Sequence, residues 1–218
     1  MKYRNGIIIA CDTRLNYGSL GKFFNIDDRV QRINENTMIG TSGEYSDFQE
    51  ACRMLKELAL DDVLDSKSFL GPQEMTNYLS SVHYYKRNKM NPFLNSTATG
   101  GIDWDGKPVL FSIDQYGTLL KSDYVTIGMA QYFCNSIIAP EYPINYDDLT
   151  RDEAVRLIEK CFKVLFYRDS RAGNNIKFGY IEKRQDGIEY NEFQTVLQTE
   201  WNFERFRNQA NEKIYLTN

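Results

Sequence analysis

The sequence contains one histidine, four cysteines and no apolar run longer than a handful of residues. A serine or cysteine triad would have to recruit His83, and a multi-histidine metal site is excluded. His83 lies inside the helical run YLSSVHYYKR, a poor place for a catalytic base. Cys11, Cys52, Cys134 and Cys161 show no metal-knuckle or redox-motif spacing. They read as small buried hydrophobes in a chain kept reduced. No cofactor and no metal are expected. A membrane span needs about 20 apolar residues, and none is present. The opening MKYRNG lacks the roughly 7–15-residue apolar stretch of a signal peptide. A basic excess is also missing: 26 Lys+Arg against 30 Asp+Glu give a formal net charge of −4. Nucleic-acid binding needs a basic face, so none is expected. Lys86, Arg87 and Lys89 form the one short basic cluster, read as a solvated helix end.

At 218 residues the chain suits one large domain and is short for two. Ile7–Ala10 is a wholly apolar run, as in a buried strand. Asp12, Thr13 and Arg14 follow where that strand should surface. Asn5-Gly6 predicts a two-residue hairpin turn, with only Met1, Lys2 and Tyr3 before it. Arg29–Asn34 alternates, and Thr37–Ser42 is β-rich and ends at Gly43. SDFQ from Ser46 predicts a capping box and a helix. Phe48, Ala51, Cys52, Leu55, Leu58 and Ala59 make its apolar face. A second helix starts near Pro72, with Met75, Tyr78, Leu79, Val82 and Tyr85 inward, and stops near Asn91-Pro92. The stretch DVLDSKSFLGPQ between them reads as a loop. NSTATGGI, PVLFSID and KSDYVTIG read as strands, with turns at Asp105-Gly106 and Tyr116-Gly117. A short helix is predicted over Ala130–Ile138. A long one opens at Thr150 with the capping box TRDE, its stripe being Ala154, Val155, Ile158, Cys161, Phe162 and Leu165. Strands around Ile176–Lys183 and Phe193–Leu197 follow, then the amphipathic WNFERFRN. Runs of strands separated by helix pairs predict an α+β fold, with antiparallel sheets inside and helices outside.

The ordered set NGIIIACDTR, GTSGEYSD, KMNPF, ATGGID, LFYRDSRAGN and TEWNF resembles the beta-type subunits of the 20S proteasome. The resemblance runs from Met1 to about Phe203. YGSL, YYKRNKMNPF and VLFYRDSRAGN are most similar to the seventh-position branch, a non-catalytic member of the ring. The fold this implies is that of the N-terminal nucleophile hydrolases: a four-layer αββα sandwich of two antiparallel sheets flanked by helices. It agrees with the layout read from the residues.

In catalytic members of that family a threonine at the processed N-terminus is the nucleophile, and its free amine acts with it. The first threonine here is Thr13, and cutting before it would remove a buried strand. Asp12 matches the family's catalytic aspartate. Arg29 falls where catalytic members carry lysine, and arginine stays protonated where lysine can join proton transfer. Gly43 matches the glycine whose N–H forms the oxyanion hole. Met129 falls where they carry serine, and Asp169 matches their second aspartate. These five positions are therefore expected to be vestigial. Read from the residues alone, Asp12 and Asp169 pair with Arg14, Arg29 or Arg171 below the surface.

The resemblance implies a non-catalytic structural beta subunit of the 20S core, in ATP- and ubiquitin-dependent protein degradation. It would support ring assembly and the proteolytic chamber. It implies contacts with neighbouring beta subunits, alpha-ring subunits and the opposite beta ring, in cytoplasm and nucleus. The rival is a catalytic threonine-type peptidase subunit whose N-terminal segment is missing from the sequence. One domain over 1–218 is expected, with a tail at 208–218 whose apolar anchor is Ile214, Tyr215 and Leu216. Extended, eleven residues reach at most roughly 36 Å, enough to touch an adjacent subunit.

Overall fold

Lys2–Tyr3 (β1) and Gly6–Asp12 (β2) form an antiparallel hairpin at the start of the chain. In this computed structural model residues 1–18, 22–26, 28–66 and 70–200 are described. The apolar run of β2 is uninterrupted because both of its faces are covered. Ile7, Ile9 and Cys11 enter one buried cluster, with Val30, Met38 and Leu110. Ile8 and Ala10 enter another, with Ile158, Leu165 and Phe178. A strand with two buried faces has no polar alternation to show.

Arg14–Tyr17 (β3) and Lys22–Asn25 (β4) pair as a small separate ribbon. A five-stranded antiparallel sheet follows in chain order: Val30–Arg32 (β5), Thr37–Gly43 (β6), Asn95–Ile102 (β7), Pro108–Ile113 (β8) and Leu119–Lys121 (β9). Asn175–Arg184 (β10) and Gly187–Val196 (β11) join the opening hairpin in a four-stranded antiparallel sheet, ordered β1-β2-β10-β11. Two helices, Tyr45–Ser66 (α1) and Pro72–Asn88 (α2), interrupt the larger sheet between β6 and β7. Three more, Ala130–Phe133 (α3), Asn135–Glu141 (α4) and Arg151–Arg168 (α5), lie between β9 and β10.

Three buried clusters define the layering. Phe48, Leu55, Met75 and Leu79 of α1 and α2 pack on Ile39 and Ile113 of the five-stranded sheet. The second cluster fills the gap between the sheets. The third joins α4 and α5 to the outer face of β2 and β10. The order is therefore helix, sheet, sheet, helix, the αββα sandwich expected from the sequence.

Several local expectations are corrected. The first turn falls on Arg4 and Asn5, not Asn5-Gly6, and Gly6 pairs with Tyr3. Gly6 is needed for close approach: a side chain there would run into the Ile181 carbonyl. α1 opens at Tyr45, so Ser46 lies inside its first turn. Glu44 takes the capping role, accepting from Ser46 N and Oγ at 3.4 and 3.1 Å. Five of the twelve residues expected as loop, 62–66, are helical because α1 continues to Ser66, and Pro72 and Gln73 open α2. In α2 the inward position is His83, fully buried, and Tyr85 is 63% exposed. Met75, Leu79 and His83 are four apart, which carries that stripe past Tyr85. The single helix expected over 130–138 breaks at Cys134 into α3 and α4. KSDYVTIG is not a strand beyond Lys121. Its Val125 and Ile127 instead cover the inter-sheet cluster from a loop. The α5 capping box forms as read: Thr150 N donates to Glu153 Oε2 at 2.9 Å, and Glu153 N to Thr150 Oγ1 at 3.4 Å. WNFERFRN and the tail at 208–218 lie outside the described residues.

One edge is incomplete. Met1 and Ile8 close the last hydrogen-bonded pair between β1 and β2, at 2.7 and 2.9 Å. From Ala10 onward no strand among the described residues pairs with that side of β2.

Candidate functional site

That open edge borders a cleft of about 730 Å³. Ile8–Asp12 of β2, the Gly40–Gly43 end of β6, residues 125–132 and the inner face of α5 line it. All five positions singled out in the sequence are among its lining residues: Asp12, Arg29, Gly43, Met129 and Asp169.

Asp12 ends β2, where the strand leaves its covered stretch. Its Oδ1 accepts from Arg29 Nη1 at 2.7 Å, and its Oδ2 accepts from the Gly173 N–H at 2.9 Å. The two side chains are 14% and 17% exposed. Arg29 also donates to the Asp12 and Arg14 carbonyls, both at 3.2 Å, and to Thr41 O at 3.3 Å. A guanidinium can serve several acceptors at once because its donors lie in a fixed fork. Of the three arginines that could have paired with the two acids, Arg29 takes Asp12 and Arg171 takes Asp169 at 3.3 Å. Arg14 turns instead to the Ala172 carbonyl at 3.2 Å.

Asp169 caps the end of α5. Its N–H reaches Leu165 O at 2.8 Å, and its Oδ1 accepts the Arg171 N–H at 3.0 Å. The carboxylate is thereby used in turning the chain from α5 towards Gly173. Gly43 sits at φ +114°, and a side chain there would collide with the Leu94 carbonyl. Only glycine fits both demands. Met129 precedes α3 at the cleft wall, 36% exposed. Its thioether has no proton to give.

The hydroxyls of the two cleft threonines, Thr41 and Thr126, are spent on other acceptors. Thr13 is buried, its N–H bonded to Asn175 O at 3.0 Å, and it is not part of the lining. Thr41 Oγ1 donates to Ser96 O at 3.4 Å, and Thr126 Oγ1 to Asn135 Oδ1 at 2.7 Å. His83 lies elsewhere, buried beneath α2 and edge-on to Phe93 at 5.3 Å between ring centres. Burial pushes its pKa below the usual imidazole value. Among the described residues no group of three or more His, Cys, Asp or Glu could hold a metal. No described helix is long and apolar enough to cross a membrane.

Two features of the site carry no local sequence signal. The Gly173 N–H that completes Asp12 lies 161 positions away, and only the fold brings them together. Cys134 and Cys161 also line the cleft, although both read as ordinary core positions.

Comparison with known proteins follows the same line. A family model described as "Proteasome subunit" matches residues 1–181. The chain is 37% identical over 209 residues to "Proteasome subunit beta type-4" of Arabidopsis thaliana, covering 95% of this chain and 82% of that protein. It is 31% identical over 206 residues to "Probable proteasome subunit beta type-7" of Schizosaccharomyces pombe, covering 93% and 77%. It is 30% identical over 210 residues to "Proteasome subunit beta type-7" of Saccharomyces cerevisiae, covering 93% and 78%.

Proposed function

The chain belongs to the proteasome subunit family, and from that premise we propose that it is a non-catalytic beta subunit of the 20S core, of the seventh-position kind. Its work is structural. It fills a place in a beta ring, contacts beta neighbours and an alpha ring, and helps to wall the chamber in which other subunits cleave protein. Cytoplasm and nucleus are where such a particle would act.

The observation that carries this reading is the Asp12–Arg29 pair, 2.7 Å apart. At the position that would have to move a proton stands a group that cannot give one up near neutral pH. Three backbone carbonyls and one carboxylate hold it still. Such a residue ties strands together and cannot relay protons. Met129, in the same cleft, supports the same reading.

The test is direct. The chain, alone and incorporated into particles, is challenged with fluorogenic peptides and with a covalent inhibitor directed at N-terminal threonines. No turnover by the chain and no adduct on it are expected. Stoichiometric labelling would establish the rival, a catalytic threonine peptidase subunit.

A further inference from the structure

Two of the four cysteines meet in the wall of the cleft. Cys134 stands at the break between α3 and α4, and Cys161 lies midway along α5. Both are buried, at 2% and 4% exposure, and both line the cleft. The Cys134 thiol donates to the Cys161 carbonyl oxygen at 4.0 Å, and the two side chains are neighbours. The other two cysteines are placed differently. Cys52 belongs to the cluster under α1, on the far side of the larger sheet. Cys11 borders the cleft but faces the gap between the sheets, in a separate cluster.

We propose that Cys134 and Cys161 form a redox modification site, a dithiol that hydrogen peroxide entering by the cleft closes to a disulfide. With Cys134 as the attacking sulfur and Cys161 as the resolving one, each bond made is matched by a bond broken, and the reverse order gives the same disulfide. The Cys134 thiolate attacks one peroxide oxygen. The O–O bond breaks, the departing hydroxide takes up a proton as water, and Cys134 becomes a sulfenic acid. Cys161, losing its proton, attacks that sulfur. The S–O bond breaks, and the second hydroxide also leaves as water. Two thiols and one peroxide give one disulfide and two waters. The sulfurs lose two electrons, and the peroxide gains them. The bond would fasten the α3–α4 junction to α5, and thiol reductants would reopen it.

The intact, reduced chain is exposed to hydrogen peroxide, digested without reductant and mapped by mass. The expected product is a Cys134–Cys161 cross-linked peptide, lighter by two hydrogens than its parts and released by dithiothreitol. A Cys161→Ser variant should stop at a sulfenic acid on Cys134 that dimedone traps. Full alkylation of both cysteines after peroxide treatment would overturn the proposal. So would cross-links that run instead through Cys11 or Cys52, or that join two chains. The peptide map is read on the wild-type chain, so the result does not depend on how well the variant folds.

Discussion

Arg29 spends its guanidinium on one carboxylate and three carbonyls. Removing it strands a mostly buried Asp12 and leaves the carbonyls undonated. Arg29→Ala should therefore lower the unfolding free energy by about 3 kcal/mol, read from urea midpoints. Arg29→Lys keeps the charge but loses the fork, and roughly half of that loss is expected. It should gain no peptidase activity, because restoring lysine restores no nucleophile. Turnover of fluorogenic peptide by this variant would count against a structural role. His83 offers a second residue-scale measurement. Its folded pKa is lowered, so below the unfolded value of about 6.5 the unfolded chain binds the extra proton. Its contribution is intact above that pH and is lost as pH falls towards the folded pKa. Between pH 7 and 5 the wild type should lose stability faster than His83→Phe, by at most about 1.4 kcal/mol per pH unit. Parallel pH curves would mean that His83 titrates alike in both states. The five site positions are placed only through the family resemblance, on stretches such as CDTR and RDSRAG. Their partners carry no such mark. Asp12 had several arginines within reach on paper, and the choice of Arg29 is made by how β2 sits on β5 and β6.

At the scale of the element, period decided what was legible. The stripes of α1 and α5 repeat every three or four residues and are legible in the sequence. The stripe expected for α2 runs one step too far, to Tyr85. The two cases separate cleanly by mutation. Leu55→Ala empties a fully buried position and should cost about 3 kcal/mol. Tyr85→Ala removes a ring that is 63% exposed and should change stability by no more than about 0.5 kcal/mol. Equal losses in thermal melts would mean that the inward face of α2 is misassigned. Short elements lacked such a signal. The β3–β4 ribbon has four residues a side, too few for alternation to stand out. The run YVTIG has strand composition yet lies as a loop, because Val125 and Ile127 find apolar contacts over the inter-sheet cluster without a strand partner.

For the whole molecule, the order of strands and helices gives an α+β fold with sheets inside and helices outside, and the four layers follow from the resemblance. Assembly was legible only through resemblance, and the tail at 208–218 lies outside the described residues. Its part can still be tested. If it reaches the opposite ring, deleting Ile214–Asn218 should leave ring entry intact and let half-particles accumulate on native gels. Full particles at wild-type yield would remove that role. The uncovered side of β2 has a consequence of another kind, for solubility. Beyond Ile8 no described strand takes up the backbone N–H and C=O groups on that side of β2. Unprotected edges of this sort seed edge-to-edge association. The free subunit should therefore scatter light increasingly with concentration and time, with a rise in β-signal by circular dichroism. If it does, a cell would gain from matching its synthesis to that of its neighbours, so that few copies stand with that edge unpaired.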